Sequence, residues 1–348
     1  MAPLSAPDCE RLLSTMSRPA SPAPRSTRRF FFLALAVIAA IGLYTAGWFY
    51  IAGRLEAQTR LAMERQAARG IEAECASPQA HGYPFRIGLI CESTAWREPA
   101  GGIAISAGAL RSAAQVYAPR HVVGEIDGPA ELDLPGLVPL RADWQSLQAS
   151  VRASEPLPSR ASLQATDARL SVRSSHAPVI ATADAVQAHM RTVEGSLDLA
   201  AALTGVNLPE GMTNGVDLPP LALTSDMTIR DGALHMATGK RSLRGLEGTL
   251  RDLSLEIGGS AGARLTGPFS VDGEGRLNGD FSLTLRNPAE LAALAKRLYP
   301  REEKTIGSAL AALTALGGGN GSPVIPVRVS DGVPSLGFFR LQPLPRLP

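Results

Sequence analysis

The stretch TLRDLSLEI, residues 249–257, alternates apolar and polar side chains. Its apolar residues share one side of an extended chain and its polar residues the other: Leu253, Leu255 and Ile257 against Asp252, Ser254 and Glu256. Successive side chains of a β-strand point to opposite faces, so this period of two predicts a strand with one buried and one solvated face. The segment GDFSLTLRN, residues 279–287, repeats the pattern.

Strand-like segments of this kind continue from about residue 83 to residue 285, and few helix-length patterns interrupt them. This organisation favours antiparallel pairing, and we predict a mainly β fold with a minor α part, built as curved sheets or as a sandwich. Asp-Gly pairs at 127, 231, 272 and 331 are typical of hairpin turns, because both residues tolerate positive φ. The segment MTIRDGALHM, residues 227–236, is the best hairpin candidate.

Near the C-terminus the period changes to that of helices. NPAELAALAKRLYP, residues 287–300, offers Asn287 as N-cap, Pro288 at the first position and Glu290 at the third. A second helix is predicted over EEKTIGSALAALTAL, residues 302–316. We therefore expect a two-helix insertion before a terminal hairpin.

An uncharged run of 22 residues, Phe30–Ile51, is long enough to cross a membrane, since about 20 apolar residues span the hydrocarbon core. Trp48 begins an aromatic cluster suited to the headgroup region. A cleaved signal peptide is the alternative, but the run is long and the residues after it lack a good small-x-small site. We favour an uncleaved anchor.

Arg28 and Arg29 directly precede the apolar run, which favours a cytoplasmic N-terminus and places the C-terminal bulk outside the cytoplasm. The predicted parts are a disordered cytoplasmic tail at 1–29, a transmembrane helix at 30–51, a helical stalk at 52–72 and an extracytoplasmic β-rich domain at 73–348. Translation starting at Met16 instead of Met1 would remove Cys9.

Cys75 and Cys91 are 16 positions apart on the predicted exported side. In an oxidising compartment such a pair is most simply a disulfide. Free structural thiols, and a metal or catalytic role, are the alternatives. A zinc site needs about four ligands, and only His81 is near.

The sequence contains no motif that predicts catalysis or a cofactor. The five histidines lack metal-ligand spacing, ATGKRS departs from a phosphate loop, and a nucleophile elbow is missing. A net charge of +2 with 19% charged residues gives no sign of nucleic-acid binding. We expect a non-enzymatic protein without a metal site.

HGYPFRIGLIC, residues 81–91, and the terminal PVRVSDGVPSLGFFRLQPLPRLP, residues 326–348, carry a resemblance to a known family. The chain resembles DUF2125, an uncharacterised family of bacterial envelope proteins. The resemblance implies a single-span protein of the bacterial inner membrane whose C-terminal bulk is periplasmic, without an assigned activity. GRLNGDFSLTLRNPAELAAL, residues 275–294, is weakly similar to AsmA-like envelope proteins. That likeness implies an anchored curved sheet whose apolar face holds lipid.

Two functions are compatible with these features. One is binding of a lipid or another hydrophobic ligand on the apolar side of the sheet, in envelope maintenance. The other is a non-enzymatic scaffold or assembly factor that binds an envelope protein through its surface or sheet edges. The same apolar residues could also simply pack the core of a sandwich, and an enzyme ranks third.

Overall fold

The computed structural model describes residues 26–174, 176, 178–238, 242–316, 323–336 and 339–347. The interpretations made for Cys9, Met16 and most of the tail lie outside these residues. The chain divides into two compact units, one ending at Tyr50 and one beginning at Ile51.

The first helix, α1, runs without interruption over Ser26–Ala67. It begins four residues inside the predicted tail and ends before the limit of the predicted stalk, since Glu72 already belongs to a strand. It is the one helix of the described chain that is long and apolar enough to cross a membrane, and its most apolar 18-residue window has a mean hydropathy of 2.2.

The remainder is dominated by antiparallel β-structure, which confirms the predicted fold class. Twenty described strands form one connected sheet. The strands are β1 Glu72–Cys75, β2 Gln79–His81, β3 Arg86–Cys91, β4 Thr94–Glu98, β5 Ile103–Ala107, β6 Leu110–Gln115, β7 Ala118–Ile126, β8 Ala130–Asp133, β9 Leu140–Asp143, β10 Ser146–Arg152, β11 Arg160–Val172, β12 Val179–Val193, β13 Ser196–Val206, β14 Leu221–Arg230, β15 Glu247–Ile257, β16 Ala261–Val271, β17 Leu277–Arg286, β18 Val324–Ser330, β19 Val333–Leu336 and β20 Phe339–Arg340.

The sheet is an antiparallel meander in which spatial neighbours follow chain order. From β11 to β20 each strand pairs with the next one. Before β11, two consecutive strands together lie beside the next two. For example, β3 is hydrogen-bonded to β6 and β4 to β5, and this arrangement repeats up to β9 and β10. Two consecutive strands such as β3 and β4 therefore form one long strand with a break in it.

The breaks lie at one height across neighbouring strands, and we call this line the crease. It consists of residues 76–78, 92–93, 108–109, 127–129 and 144–145. Backbone hydrogen bonds still cross it, as from Asp127 N–H to the Ala109 carbonyl at 2.8 Å. In β11 the crease continues as Asp167, which has a φ of 49° inside the strand. Aspartate tolerates this left-handed conformation better than most residues.

The four Asp-Gly pairs have different outcomes. Asp331 and Gly332 form the predicted two-residue turn between β18 and β19, with φ of 53° and 78°. The pair at Asp272 begins a five-residue connection between β16 and β17. The hairpin prediction at Asp231 is wrong, because a short helix, α2 Gly232–Ala237, lengthens that connection. The pair at Asp127 lies in the crease, so the hairpin prediction is wrong there too.

The predicted two-helix insertion is confirmed. Helices α3 Pro288–Leu298 and α4 Glu303–Leu316 lie between β17 and the hairpin of β18 and β19. Asn287 is the N-cap of α3, but its side chain donates to the Glu290 carboxylate at 2.6 Å instead of capping the backbone.

Candidate functional site

Cys75 in β1 and Cys91 in β3 form the predicted disulfide, with their Cα atoms 5.2 Å apart. The bond lies beside the crease, where Glu92 N–H donates to the Ala76 carbonyl at 2.9 Å. The pairing excludes a metal or free-thiol role for these two residues in this state. The Cys91 side chain is fully buried, with 0% of its surface exposed.

The predicted anchor residues all belong to α1. Phe30 and Ile51 are exposed along it, and the rings of Trp48 and Phe49 meet edge to face at 5.2 Å. The Arg28 guanidinium lies 5.9 Å from the centre of the Phe32 ring. The length and composition of α1 fit a membrane helix, whereas the direction of crossing inferred from Arg28 and Arg29 stays a prediction.

Several histidines make ordinary hydrogen bonds. The Nε2 atom of His81 lies 2.8 Å from the Ser112 carbonyl, and that of His121 lies 2.9 Å from the Ser150 hydroxyl. Within the described ranges, groups of three or more His, Cys, Asp or Glu side chains suited to a metal ion do not occur. The expected non-enzymatic role stays a prediction.

The register of the sheet brings apolar residues of many strands into common rows. Directly paired residues lie on the same face of a sheet, and alternate residues of each strand lie on that face too. One row crosses eight strands from β11 to β18: Leu163, Ala188, Ala201, Ser225, Leu253, Leu265, Leu283 and Ile325. We call the side of the sheet that carries this row the apolar face.

The two neighbouring rows of the apolar face carry larger side chains in the middle strands. In β12–β14 one row has Met190, Leu199 and Met227, and the other has Val186, Leu203 and Leu223. Between them lie only Ala188, Ala201 and Ser225, which we call the lane. Rows on one face are two residues apart along a strand, so the flanking rows lie about 13 Å from each other. The lane is therefore a shallow apolar path across the strands.

The middle of the apolar face is poorly covered. Leu163, Leu223, Leu253 and Leu255 have 36–38% of their surface exposed, although they lie within strands. Since complete burial of a leucine is worth about 1.5–3 kcal/mol, this exposure forgoes on the order of 2–4 kcal/mol for the four residues. Such an apolar area in water is typical of a binding surface.

The C-terminal end of the same face is covered. Leu250, Phe281 and Val329 form a buried cluster with 6–8% of their surface exposed. Partly buried neighbours complete it: Met227, Leu265, Phe269, Leu277 and Val327. The Phe269 ring lies over Gly248, where an added Cβ would come within 2.6 Å of the ring. Aromatic cover of a strand glycine stabilises this end of the sheet.

The opposite side of the sheet, the polar face, carries ion pairs between strands. Asp198 accepts from Arg191 at 2.7 Å and from Thr228 at 2.7 Å, and it also contacts Arg251. These hydrogen bonds lower the pKa of Asp198 to about 2, against the opposing effect of partial burial. Further cross-strand pairs are Asp252–Arg264, Glu256–Arg286, Asp280–Arg328 and Arg230–Glu247. These charges satisfy one another, as expected for a solvated face.

Depressions between long side chains occur on the polar face. One of them has a volume of about 470 Å³ and includes His81, Arg111, Gln148, Gln164 and His189 in its lining. Arg111 is already engaged by Asp127 through two hydrogen bonds. That pairing holds the pKa of Asp127 below its usual value, so the depression presents neutralised charge rather than an empty cationic site.

Sequence reasoning found the alternation at Leu253 and Leu255 but missed the lane. Ala188, Ala201 and Ser225 are small residues without an individual signal, and they become neighbours only through the register of β12, β13 and β14. The sequence signal that could have indicated the lane is the strand-like pattern of the two segments around Ala188 and Ala201, which pair with each other in the sheet.

Comparison with known proteins agrees with the resemblance noted from the sequence. No curated protein matches the chain significantly. The family model DUF2125, described as an uncharacterized protein conserved in bacteria, matches residues 48–345. The weaker likeness to AsmA-like proteins stays a prediction. Because the match covers the end of the apolar run and nearly the whole sheet, the chain belongs to the DUF2125 family.

Proposed function

We propose that this protein is a single-pass, membrane-anchored periplasmic protein that binds the acyl chains of a lipid on its apolar face. The observation that carries the proposal is the exposure of Leu163, Leu223, Leu253 and Leu255 within strands. An acyl chain has no polar atoms to satisfy, so it suits a surface of Leu, Met, Val and Ala side chains. The proposal includes no catalytic step.

Two observations support a periplasmic location. Arg28 and Arg29 precede the apolar run, and positive charge favours the cytoplasmic side. Arg54, Arg60, Arg65 and Arg69 follow the run and reduce this bias. The Cys75–Cys91 disulfide supports the same direction, because such bonds persist in oxidising compartments.

The size of the apolar face fits a lipid. Neighbouring strands lie about 4.8 Å apart, so the open part of the row, from Leu163 in β11 to Leu253 in β15, is roughly 19 Å long. One leaflet of a bilayer contributes about 15 Å, half of the hydrocarbon thickness of about 30 Å. The row therefore offers enough length for extended acyl chains, and the lane gives them a path between the two flanking rows.

The test is photo-crosslinking in intact cells, with a benzophenone amino acid placed on each face. Leu163 and Leu253 report on the apolar face, and their neighbours Gln164 and Ser254 are matched controls on the polar face. We expect lipid adducts, identified by mass spectrometry, at 163 and 253 and far fewer at 164 and 254. Equal labelling of both faces, or none, would contradict lipid binding.

A matched pair of substitutions sharpens the test. Ala201→Lys places a charge in the lane, whereas Ala202→Lys places the same charge on the adjacent, polar-facing residue. We expect Ala201→Lys to abolish lipid adducts at Leu253, while Ala202→Lys leaves them unchanged. If both variants crosslink like the wild type, the lane does not hold the ligand.

The scaffold function is the alternative outcome of the same experiment. A reproducible protein adduct at 163 and 253, without lipid, would favour an envelope protein as the partner. The membrane direction is tested separately with fusions after residue 348. We expect an active alkaline phosphatase and a dark GFP, and the reverse result would overturn the periplasmic location.

A further inference from the structure

The first strands run back along the stalk part of α1 toward the end of the apolar run. Cys75 N–H lies 3.2 Å from the Met63 sulfur, and Ala80 N–H donates to the Glu56 carboxylate at 2.8 Å. Between residues 75 and 80 the chain therefore descends from the height of Met63 to that of Glu56. Glu56 is five residues, or about 7.5 Å, beyond Ile51.

The chain continues in this direction past Ala80 into the loop at residues 82–85. Arg86 N–H donates to the Gly82 carbonyl at 2.9 Å and closes the loop. Gly82 has a φ of 105°, and a Cβ there would meet Arg86 at 2.9 Å, so the turn requires glycine. The loop presents Tyr83 with 45% and Phe85 with 73% of its surface exposed.

A second apolar turn lies directly beside the first. Val116 N–H donates to the Phe85 carbonyl at 3.1 Å, and Gln115 pairs with Arg86. This turn joins β6 to β7 and exposes Val116 at 38% and Tyr117 at 79%. We call Tyr83, Phe85, Val116 and Tyr117 the aromatic tip.

Exposed arginines flank the aromatic tip. Arg86 follows Phe85, and Arg120 follows Tyr117 by three residues. Aromatic rings beside arginine side chains are typical of the membrane interface, where rings lie at the headgroups and guanidinium groups reach phosphates. In water the same exposed rings gain none of the free energy that burial of apolar surface provides.

We propose that the aromatic tip inserts into the interface of the bilayer that holds the protein's own anchor. The interfacial region is about 5–8 Å thick on each side of the hydrocarbon core. A loop that extends two or three residues past the height of Glu56 falls within this distance of Ile51. Arg86 and Arg120 contact lipid phosphates, and the aromatic tip holds the membrane-proximal ends of the strands at the bilayer surface. This proposal does not depend on lipid binding to the apolar face.

The experiment uses the full chain reconstituted in vesicles of phosphatidylcholine and phosphatidylglycerol. Phe85→Cys and Tyr117→Cys are each made in a Cys9→Ser background and labelled with the environment-sensitive dye NBD. Leu137→Cys is the matched control, because Leu137 is a 59% exposed apolar residue in the loop between β8 and β9, at the opposite strand ends. The Cys75–Cys91 disulfide leaves its own sulfurs unreactive.

We expect the labels at 85 and 117 to emit at shorter wavelength than the label at 137. They should lose most of their fluorescence when lipids with a doxyl group near the headgroup are included, while the label at 137 keeps its fluorescence. Circular dichroism of each variant checks that the sheet is intact. Labels at 85 and 117 that behave like the label at 137 would overturn the proposal. So would shielding that appears in cells but not in vesicles, which would indicate a protein partner.

Discussion

The covered end and the open middle of the apolar face have the same strand pattern and opposite environments. Leu250, Phe281 and Val329 are buried at the C-terminal end, while Leu253 and Leu255 are more than a third exposed. Leu250 and Leu253 belong to one strand, β15. The alternation of apolar and polar residues thus determines the face on which a residue lies. Whether that residue stabilises the fold depends on how far neighbouring side chains bury it.

The N-terminal end of the sheet is stabilised by another means. The strands there are short and broken at the crease, and the buried apolar cluster of the described chain lies elsewhere. The Cys75–Cys91 disulfide covalently links β1 to β3 beside the crease. The two ends are therefore stabilised by packing and by a covalent bond, and the middle has neither.

The largest effect is expected from Phe281→Ala in the covered cluster. Removing a buried ring leaves a cavity and should lower the free energy of unfolding by about 3–5 kcal/mol. Denaturant unfolding of the full chain in detergent, followed by circular dichroism of the sheet, measures this change. Phe281→Leu, which keeps most of the volume, should lose less. A loss below about 1 kcal/mol for Phe281→Ala would show that this end is as open as the middle.

Removal of the disulfide in Cys75→Ser/Cys91→Ser should cost about 3 kcal/mol, because a closed loop of this length restricts the unfolded chain. The same unfolding experiment measures it, with Cys9→Ser as the control for loss of a thiol. We also expect reductant to destabilise the wild-type chain and to leave the double variant unchanged. Equal stability of all variants would contradict a stabilising role at the N-terminal end.

Asp198→Asn tests whether the polar face contributes comparable stability. The pKa of Asp198 is lowered from 3.8 to about 2, so its contribution is complete above pH 3.8 and is lost as the pH falls through about 2. Since its arginine partners are substantially exposed, we expect a loss of only about 1 kcal/mol at pH 7. The difference between variant and wild type should disappear near pH 2. A difference that persists there would contradict the ionic origin.

The smallest effect on stability is expected in the open middle. Leu253→Ala should lower the free energy of unfolding by about 1 kcal/mol or less, because this side chain is already partly in water. The same variant should weaken lipid crosslinking at Leu163 if the apolar face binds acyl chains. A loss as large as that of Phe281→Ala would mean that the middle is a packed core.

The turns show how far local sequence carries a prediction. Asp331-Gly332 and Asp231-Gly232 are the same dipeptide, and only the first is a two-residue hairpin turn. At the second, Ala233 is buried and an added Cβ at Gly232 would contact Leu197 and Ile229, so α2 packs against the sheet instead of turning at once. Conversely, Glu194-Gly195 forms a two-residue turn with positive φ at both residues, without the Asp-Gly signal.

The sequence by itself determined the apolar run, the strands of period two, the paired helices before the last hairpin and the cysteine pair. The first three depend on residues close together in the chain, and the cysteine pair depends on disulfide formation in an oxidising compartment. Only the tertiary structure decided the crease, the lane and the aromatic tip. Their members are separated by tens of residues, and individually ordinary residues such as Ala201 and Tyr117 gain a role only when strand register and chain direction bring them beside particular neighbours.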